Sequence, residues 1–480
     1  MLVKSGRIYD SYKVVGERKR NMRYLSFILP LALLASYELG ATESVYKKQY
    51  KEHYKPLVNP GQGWMAWQCA GWEKTSSRVS VGMIYDRLYW SDFEPENGVY
   101  DWTKIEKLLE FAASKGVPAA FRIICASSGD AKSYETPKWV FELGAKGDAF
   151  VSPRTEIGRV DDYVPHFDDP IFLKYHARFI RRLAEKFDGD PRIAGVDLGS
   201  YGNWGEWHCC HLPPYDNGKI GQKVYPVETR RVIIDAYLSN FKKTPIVSLT
   251  DDQECLAYSV VDGRYSRVGL RRDGVGAPWI QKDWAGSERY AAVKKMGEVW
   301  KTKPIWFETY ASVLFMSEKK GWDMEAMVEW MASNHVTCVN SHPLIDKDDP
   351  KFAKLWRKVD LFAGARLVPN CSVVRKLKNG FEVKVYAENK GVGVMALPFD
   401  ILLEILDVNG SVIASSRGCE LPNDWMPGAF EIDEFLPASL EEIDRTKKMR
   451  IRLVHKYNIF KDFLFAVEGA ENGLVVWEKE

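Results

Sequence analysis

The sequence lacks a strong excess of charge of either sign. Its 67 Lys and Arg residues against 65 Asp and Glu give a formal net charge of +2 over 480 residues. Nucleic-acid-binding proteins are usually more basic, so no nucleic-acid partner is expected. Low-complexity tracts and short repeats are also missing, which argues against a disordered chain and against a solenoid.

Cysteine is sparse and irregularly placed, at positions 69, 125, 209, 210, 255, 338, 371 and 419. Without the regular spacing of a disulfide framework, cysteine indicates no particular compartment. The run His208, Cys209, Cys210 and His211 contains potential zinc ligands, but four adjacent residues cannot easily surround one ion. We therefore predict no metal site, and expect His208 to be a hydrogen-bonding residue at a pocket rim.

Long hydrophobic runs are missing as well. The apolar run at residues 24–35 is too short to span a bilayer as a helix, but it has the length of the apolar part of a signal peptide. Met22 and Arg23 precede it, so residues 1–41 read as an over-extended start plus a signal peptide, with cleavage near Ala41. We expect export to the periplasm or the medium and no membrane span in the mature chain; a retained anchor is the alternative.

Aromatic residues are abundant: 17 Trp, 23 Tyr and 22 Phe. Flat apolar rings stack against the faces of sugars, although any single Trp can equally be a bulky core residue. Five Trp are candidates for sugar stacking: Trp64, Trp67, Trp279, Trp284 and Trp306. Of these Trp306 is the weakest candidate, because its neighbours in the sequence are those of a core strand.

From residue 59 to 364, β-rich runs alternate with amphipathic helical stretches, which predicts βα units and a parallel sheet. Eight strands are predicted, at 63–68, 82–90, 118–126, 193–200, 245–250, 267–271, 304–308 and 335–341. Helices are predicted at 102–115, 170–187, 228–241, 287–300 and 324–333. This pattern favours a (β/α)₈ TIM barrel at 42–364. A doubly wound open sheet is disfavoured, because no G-x-G-x-x-G follows the first strand.

After residue 364 the pattern changes to short alternating strands separated by turns. Strands are predicted at 380–388, 399–407, 411–415 and 448–453, with Asn409-Gly410 as a hairpin turn. Residues 365–480 therefore form a predicted all-β, immunoglobulin-like sandwich. Such a domain can serve as a structural support for the barrel or bind glycan directly.

Two glutamates follow predicted barrel strands at the end where TIM-barrel active sites are built. Glu206 comes after the fourth strand, in a segment rich in Gly and Trp, and Glu308 ends the wholly apolar seventh strand. They are 102 positions apart, about the length of three βα units, so one pocket can contain both. Either residue alone could be a salt-bridged rim residue; the pair at these two strands is more specific.

Hydrolysis of a glycosidic bond uses two such carboxyls, one as acid and one as nucleophile or base. An apolar wall raises the pKa of a carboxyl. Because Trp204 and Trp207 flank Glu206, we expect Glu206 to be the better acid. Hydrolysis of this kind needs no cofactor, and none is predicted.

The motifs resemble those of the clan A retaining glycoside hydrolases, especially the family 42 β-galactosidase-like barrels and secreted bacterial barrels with a C-terminal immunoglobulin-like sandwich. The opening Asn59-Pro60-Gly61-Gln62-Gly63-Trp64 and the second-strand segment 87–102 carry this resemblance, which extends from Asn59 to the C-terminus. It implies Glu206 as the acid/base after strand four and Glu308 as the nucleophile after strand seven.

The sequence departs from the clan at one position. The clan usually has Asn directly before the acid/base to bind the substrate 2-hydroxyl, and Gly205 stands there instead. Either Asn203 makes this contact from the loop, or the site has lost it together with part of its transition-state stabilisation.

Further residues are predicted to contact substrate: Arg87, Arg122, Asn203, Trp204, Trp207, His208, Asp273, Trp64 and Tyr310. Salt bridges within the barrel are an equal alternative for the charged ones, including Asp251, Asp252, Arg271 and Arg272. The leading hypothesis is an exo- or endo-acting retaining β-glycosidase with an oligo- or polysaccharide substrate, which the resemblance suggests is a β-galactoside. A catalytically inactive glycan-binding protein and a transglycosylase are the alternatives.

Overall fold

The computed structural model describes residues 45–128, 134–150, 162–213, 224–261, 268–282, 296–340 and 350–479. The strands are β1 Val45–Gln49, β2 Gly63–Trp67, β3 Val81–Tyr89, β4 Ala119–Ile124, β5 Gly147–Phe150, β6 Asp162–Pro165, β7 Ile193–Asp197, β8 Ile246–Leu249, β9 Val268–Val275, β10 Ile305–Thr309, β11 Cys338–Asn340, β12 Leu367–Leu377, β13 Gly380–Asn389, β14 Phe399–Leu406, β15 Val412–Arg417, β16 Gly428–Pro437, β17 Lys448–His455 and β18 Leu474–Glu478.

Eight of these strands close into a parallel barrel in the order β2, β3, β4, β7, β8, β9, β10 and β11. Each corresponds to one of the eight predicted strands, so the predicted TIM barrel is confirmed. All eight are almost wholly buried, because one face fills the barrel interior and the other packs under helices. Strand β5 and strand β6 form a separate two-stranded sheet in the connection between β4 and β7.

Helices cover the outside of the barrel. Within the described residues, the α-helices of five or more residues in this part of the chain are Trp72–Ser76, Thr103–Lys115, Lys138–Glu142, Pro170–Phe187, Val227–Leu238, Pro278–Lys282, Val313–Ser317, Met324–Ser333 and Pro350–Phe362; a further one, Leu440–Arg445, lies after the barrel. The helix Pro170–Phe187 begins where Asp169 accepts hydrogen bonds from the backbone N–H groups of Ile171 and Phe172, at 2.8 and 3.1 Å. Most of the helix predicted at 287–300 lies outside the described residues.

The remaining eight strands form two four-stranded antiparallel sheets, in the orders β1-β12-β13-β16 and β15-β14-β17-β18. The predicted C-terminal sandwich is thus confirmed, including the hairpin at Asn409-Gly410, where Gly410 has a φ of 76°. Strand β1, which precedes the barrel in the chain, pairs along its whole length with β12 of the sandwich.

The opening motif joins the barrel to the sandwich. Gln62 donates a hydrogen bond to the backbone oxygen of Ala365 at 2.7 Å and accepts one from its N–H at 2.9 Å. Asn59 accepts a hydrogen bond from the N–H of Leu464 at 2.8 Å. The side chain of Trp64, wholly buried, packs edge-on against Trp356. This motif therefore has a structural role in the chain.

None of the helices within the described ranges has both the length and the apolar composition needed to cross a bilayer.

Candidate active site

The register of the barrel sheet places charged residues of neighbouring strands side by side at its carboxyl end. Arg87 of β3 is paired with Arg122 of β4, and Arg122 is paired with Asp197 of β7. On the other side of the barrel, Glu308 of β10 is paired with Asn340 of β11. Because parallel strands share one direction, these side chains project into the same end of the barrel.

Arg122 is completely buried and is held by carboxylates. Its Nε donates to Asp197 Oδ2 at 2.8 Å, and its Nη2 lies 2.6 Å from the same oxygen and 3.0 Å from Asp273 Oδ2. Tyr85 also donates to Asp197 Oδ2, at 2.7 Å. A buried charge is tolerated only when it is paired and hydrogen-bonded, and this network meets both conditions.

Glu308, at the end of β10, accepts hydrogen bonds on both carboxylate oxygens. Arg87 Nη2 donates to Oε1 at 3.0 Å and to Oε2 at 3.2 Å. Oε2 also accepts from Arg271 Nη2 and, at 3.3 Å, from Asn340 Nδ2. Such donors favour the ionised form of the carboxyl.

Glu206 lies in a loop with unusual backbone geometry. Ser200, Trp204 and Trp207 have φ angles of 71°, 54° and 63°, a region that residues other than glycine rarely adopt. Glu206 Oε1 accepts from Arg87 Nη2 at 2.7 Å, and Oε2 lies 3.3 Å from His208 Nε2. The side chain is 12% exposed, at the edge of the cavity.

Arg87 lies at the centre of the carboxylates. Oxygens of Glu206, Asp273 and Glu308 all come within 4.8 Å of one another, a spacing that could hold a metal ion. However, Arg87 Nη2 lies 2.7, 3.6 and 3.0 Å from oxygens of these three residues. A guanidinium therefore already supplies the positive charge in the middle of the cluster, so the donor set does not fit an additional cation.

The pKa shifts of the two glutamates run opposite to the order expected from the flanking tryptophans. Burial raises the pKa of Glu308, in spite of Arg87 and Arg271. For Glu206 burial acts in the same direction, but the charge of Arg87 and the hydrogen bond from His208 outweigh it and lower the pKa. The pKa of Asp273 is also lowered, because Arg271, Arg122 and Arg87 outweigh its burial.

Asn203 does not replace the missing asparagine. Its Oδ1 accepts from the N–H of Ser128 at 2.8 Å, and its Nδ2 donates to Ser128 Oγ and to the oxygen of Cys210, both at 2.9 Å. Asn203 is fully buried and holds the loop together. Gly205 has a φ of 71°, and a Cβ there would lie 3.1 Å from Arg122 Cδ. Arg122 thus occupies the space next to which a side chain at position 205 would lie.

A cavity of about 1150 Å³ opens above the carboxylates. Its lining includes the predicted residues Arg87, Trp204, Glu206, His208, Asp273, Glu308 and Tyr310. Trp67, Trp279 and Phe315 also line it. Trp279, which is 54% exposed, packs edge-on against Tyr310 and Trp322, with ring centroids 5.8 and 5.4 Å away. The rim beside β10 is therefore aromatic and open to solvent.

The structure places three predicted aromatic residues away from this cavity. Trp64 packs under the helix Pro350–Phe362, and Trp306 is 1% exposed inside the barrel. Trp207 donates its indole N–H to the oxygen of Leu198 at 2.6 Å and packs against Tyr201, so it forms no apolar wall over Glu206. The raised pKa of Glu206 was expected from two flanking tryptophans, and of these only Trp204 lines the cavity. Trp284 lies outside the described residues.

The His208–His211 segment spreads its side chains in different directions. His208 lies at the cavity edge beside Glu206, Cys209 is buried against Tyr201 and Cys210 is exposed. Asp251 forms a 2.6 Å ion pair with Arg272, while Asp252 pairs with Arg230.

Three residues of the site were not predicted from the sequence: Tyr85, Asp197 and Asn340. The glutamates were predicted because they follow the carboxyl ends of barrel strands. The same reasoning could have identified Asp197 and Asn340, since each is the last residue of a barrel strand.

One family model and several solved structures are similar to this chain. Residues 75–211 match the glycosyl hydrolase family 42 model, described as beta-galactosidase. No curated protein matches the chain. Among solved structures, endo-glycoceramidase II from Rhodococcus sp. is 12% identical, with 82% of this chain and 100% of that chain covered and a TM-score of 0.41. The beta-galactosidase from the psychrophilic Marinomonas ef1 is 14% identical, with 62% and 58% covered and a TM-score of 0.35.

The family match spans Arg87 and Glu206, which line the cavity, and Arg122, which is buried beneath it with Nη1 3.5 Å from Glu206 Oε1. Glu308 lies beyond it, on a barrel strand that the structure itself defines. The resemblance to glycoside hydrolases that the motifs predict is therefore confirmed over residues 75–211, the segment in which this chain is similar to the family 42 enzymes.

Proposed function

We propose that the protein is a retaining glycoside hydrolase that cleaves β-linked glycosides, with Glu206 as acid/base and Glu308 as nucleophile. The observation that carries this proposal is the separation of the two carboxylates. An oxygen of Glu206 lies within 4.8 Å of one of Glu308, across the floor of an aromatic-rimmed cavity. Retaining enzymes place their carboxyls about 5 to 5.5 Å apart, and inverting enzymes about 6.5 to 9.5 Å.

The roles are assigned from the hydrogen-bond donors around each carboxyl. Both oxygens of Glu308 accept from Arg87, and Oε2 accepts from two further donors, so a proton on Glu308 would displace at least one of these bonds. Glu206 Oε2, in contrast, has His208 as its neighbour and is open to the cavity edge. The directions of the two pKa shifts correspond to the reverse assignment, whereas the donor geometry and the strand positions both support Glu206 as acid/base and Glu308 as nucleophile.

The test uses the wild type, Glu206→Ala and Glu308→Ala on aryl and alkyl β-glycosides, with β-galactosides first because of the family match. The expected result is loss of alkyl glycoside cleavage in both variants. Azide should restore Glu308→Ala with a glycosyl azide of inverted anomeric configuration, and Glu206→Ala with a retained one. Glu142→Ala, an exposed site, is the control and should behave as wild type. Retained azide from Glu308→Ala would reverse the two roles.

A catalytically inactive glycan-binding protein is the second candidate. It is favoured by the position of Arg87 Nη2, which bridges the two carboxylates where the anomeric carbon of a bound substrate must lie. Hydrolysis requires this guanidinium to move when substrate binds. Calorimetric titration of the same glycosides distinguishes the two candidates: binding by the wild type without any product release would establish the inactive protein.

Export is part of this proposal and rests on the apolar run at residues 24–35. Expression of the full chain in its host, followed by fractionation and N-terminal sequencing of the mature protein, tests it. Cleavage near Ala41 and recovery outside the cytoplasm are expected, whereas an uncleaved chain in the membrane fraction would indicate a retained anchor.

A further inference from the structure

One side of the active-site cavity exposes large apolar side chains. Trp279, Tyr310, Leu314 and Phe315 are 54%, 45%, 45% and 43% exposed. They follow β9 and β10, two barrel strands whose carboxyl ends meet at the floor of the cavity. Trp279, Tyr310 and Phe315 also line the cavity, so the exposed apolar surface is continuous with the site. Contiguous exposed apolar surface beside a cleft is typical of a ligand-binding groove.

The short helix after Ser312 turns two of these side chains outward. The Ser312 hydroxyl accepts a hydrogen bond from the backbone N–H of Phe315 at 3.2 Å, which caps the helix. Val313 and Met316 are buried in the core, so Leu314 and Phe315 lie on the solvent side of the helix. Since the capping hydroxyl is engaged within the protein, this helix presents carbon atoms to the cavity and not hydrogen-bonding groups.

Three aromatic rings beside this helix form a corner. The planes of Trp279 and Tyr310 meet at 82°, those of Trp279 and Trp322 at 76°, and those of Tyr310 and Trp322 at 79°. Each ring therefore stands edge-on to the other two, and no two of them share a plane. A flat sugar or aryl group stacks on one ring face at a time, whereas a flexible alkyl chain can bend into the corner and contact all three.

The catalytic end of the same cavity carries charged groups instead. Arg87, Glu206, His208, Asp251 and Glu308 all line it. Such groups can bind the hydroxyls of a sugar, while the aromatic corner offers no comparable set of donors and acceptors. The cavity volume of about 1150 Å³ exceeds the 300 to 1000 Å³ typical of sites for drug-sized ligands, so it has room for more than one sugar ring. An occupant that matches both ends is amphiphilic.

We propose that the substrate is an alkyl β-glycoside of the glycolipid type, with its sugar on the carboxylate floor and its alkyl chain in the aromatic corner. This inference rests on the proposed hydrolase function and names the aglycone of its substrate. Both catalytic carboxyls act at the anomeric carbon, so the group bonded to the anomeric oxygen extends away from the floor. Hydrolysis releases the chain as an alcohol that keeps the glycosidic oxygen, and the hydroxyl of water goes to the anomeric carbon.

The outer edge of the apolar surface carries a cation. Lys319 Nζ lies 4.1 Å from the centre of the Phe315 ring. This ammonium covers part of the ring, and the 43% of Phe315 that remains exposed is available to a chain. The apolar surface is therefore bounded by the charged floor at one end and by Lys319 at the other.

The test compares four β-glycosides of the sugar that the wild type cleaves best. Their aglycones are methyl, octyl, 2-(2-ethoxyethoxy)ethyl, which matches octyl in length but is polar, and 2-phenylethyl, which matches octyl in carbon number but is flat. Burial of one methylene strengthens binding about 4-fold. With partial burial, we expect the KM of the octyl glycoside to be about 10- to 50-fold below that of methyl, and about 5-fold or more below those of the other two.

Phe315→Ala is the informative variant, because the side chain is half-exposed and its loss should not prevent folding. It should raise KM about 3- to 10-fold for the octyl glycoside and by less than about 2-fold for the methyl glycoside. Phe435→Ala is the matched control. Phe435 is 40% exposed on strand β16 of the sandwich, and both KM values should be those of the wild type.

Equal KM values for the octyl and the ethoxyethoxyethyl glycosides, or an equal rise for octyl and methyl in Phe315→Ala, would overturn the inference. A 2-phenylethyl glycoside that binds as well as octyl would indicate an aryl aglycone instead. Absence of hydrolysis of every glycoside would contradict the proposed function and not the apolar site. In that case the dissociation constants of the octyl and ethoxyethoxyethyl glycosides, measured by calorimetry, decide whether the corner binds alkyl chains.

Discussion

Replacing Gly205 by Ala should destabilise the protein more than the same replacement at another glycine of similar backbone conformation. Gly205 has a φ of 71°, and a Cβ there would lie 3.1 Å from Arg122 Cδ, 3.2 Å from Gly199 Cα and 3.3 Å from the nitrogen of Ser200. These neighbours are backbone or a fully buried side chain fixed by Asp197, so they cannot easily move.

Two terms contribute to the magnitude. Holding a residue other than glycine in the left-handed region costs about 1 kcal/mol or more. Overpacking against a fixed neighbour costs a further 1 to 3 kcal/mol. We therefore expect Gly205→Ala to lower the free energy of unfolding by about 2 to 4 kcal/mol, and Gly205→Asn to lower it by a similar amount without raising hydrolysis above that of the wild type.

Gly98→Ala is the matched control. Gly98 has a φ of 83°, but a Cβ there would meet nothing within 4 Å. It should therefore show the backbone cost alone, about 1 kcal/mol. The assay is urea unfolding of the wild type, Gly205→Ala and Gly98→Ala, monitored by tryptophan fluorescence. Equal destabilisation at the two glycines would refute the argument that Arg122 excludes a side chain at position 205.

Four further results are expected. Burial lowers the pKa of His176 to about 3. As the pH falls below about 6.5, this histidine is therefore protonated in the unfolded chain but not in the folded protein. Between pH 7 and pH 5 the free energy of unfolding should fall by about 2 kcal/mol because of His176, and this loss should be absent in His176→Phe. Gln62→Ala should cost about 2 to 3 kcal/mol in urea unfolding, because it leaves both backbone groups of Ala365 without their partner; a cost under about 0.5 kcal/mol would show that the contact is dispensable. Trp279→Ala should raise KM about 2- to 10-fold with kcat unchanged, through loss of a stacking surface; an unchanged KM would place substrate elsewhere. A chelator should leave hydrolysis unaffected, since Arg87 occupies the centre of the acidic cluster; inhibition reversed by added metal would contradict this.

The barrel was predictable because its signal is periodic and local. Each parallel strand is an apolar run bounded by a helix, and the two glutamates stand where such strands end. Strand β1 was not predictable in this way: Val45–Gln49 alternates weakly, and its partner β12 lies more than 300 residues away in the chain. Strand β12 itself carries Pro369 near a register shift, which obscures its alternation.

The sequence predicted which positions belong to the site, but not which residues their side chains contact. Strand-end reasoning located Glu206, Glu308, Arg87 and Arg122, but it could not assign their partners, because these depend on the register between neighbouring strands. Nor could it separate Trp204, which faces the cavity, from Trp207, which is buried against Tyr201. A loop with several positive φ angles breaks the alternation from which a side chain's direction is inferred.

Gly205 and the buried Arg122 depend on each other sterically. Arg122 Nη1 donates to the backbone oxygen of Trp204 at 3.2 Å and lies 3.5 Å from Glu206 Oε1, so it fixes the loop on both sides of Gly205. The guanidinium stays there only because Asp197 and Asp273 neutralise it, and both carboxylates come from barrel strands. A side chain at position 205 therefore requires Arg122 to move away first, which would leave Asp197 buried without one of its cationic partners.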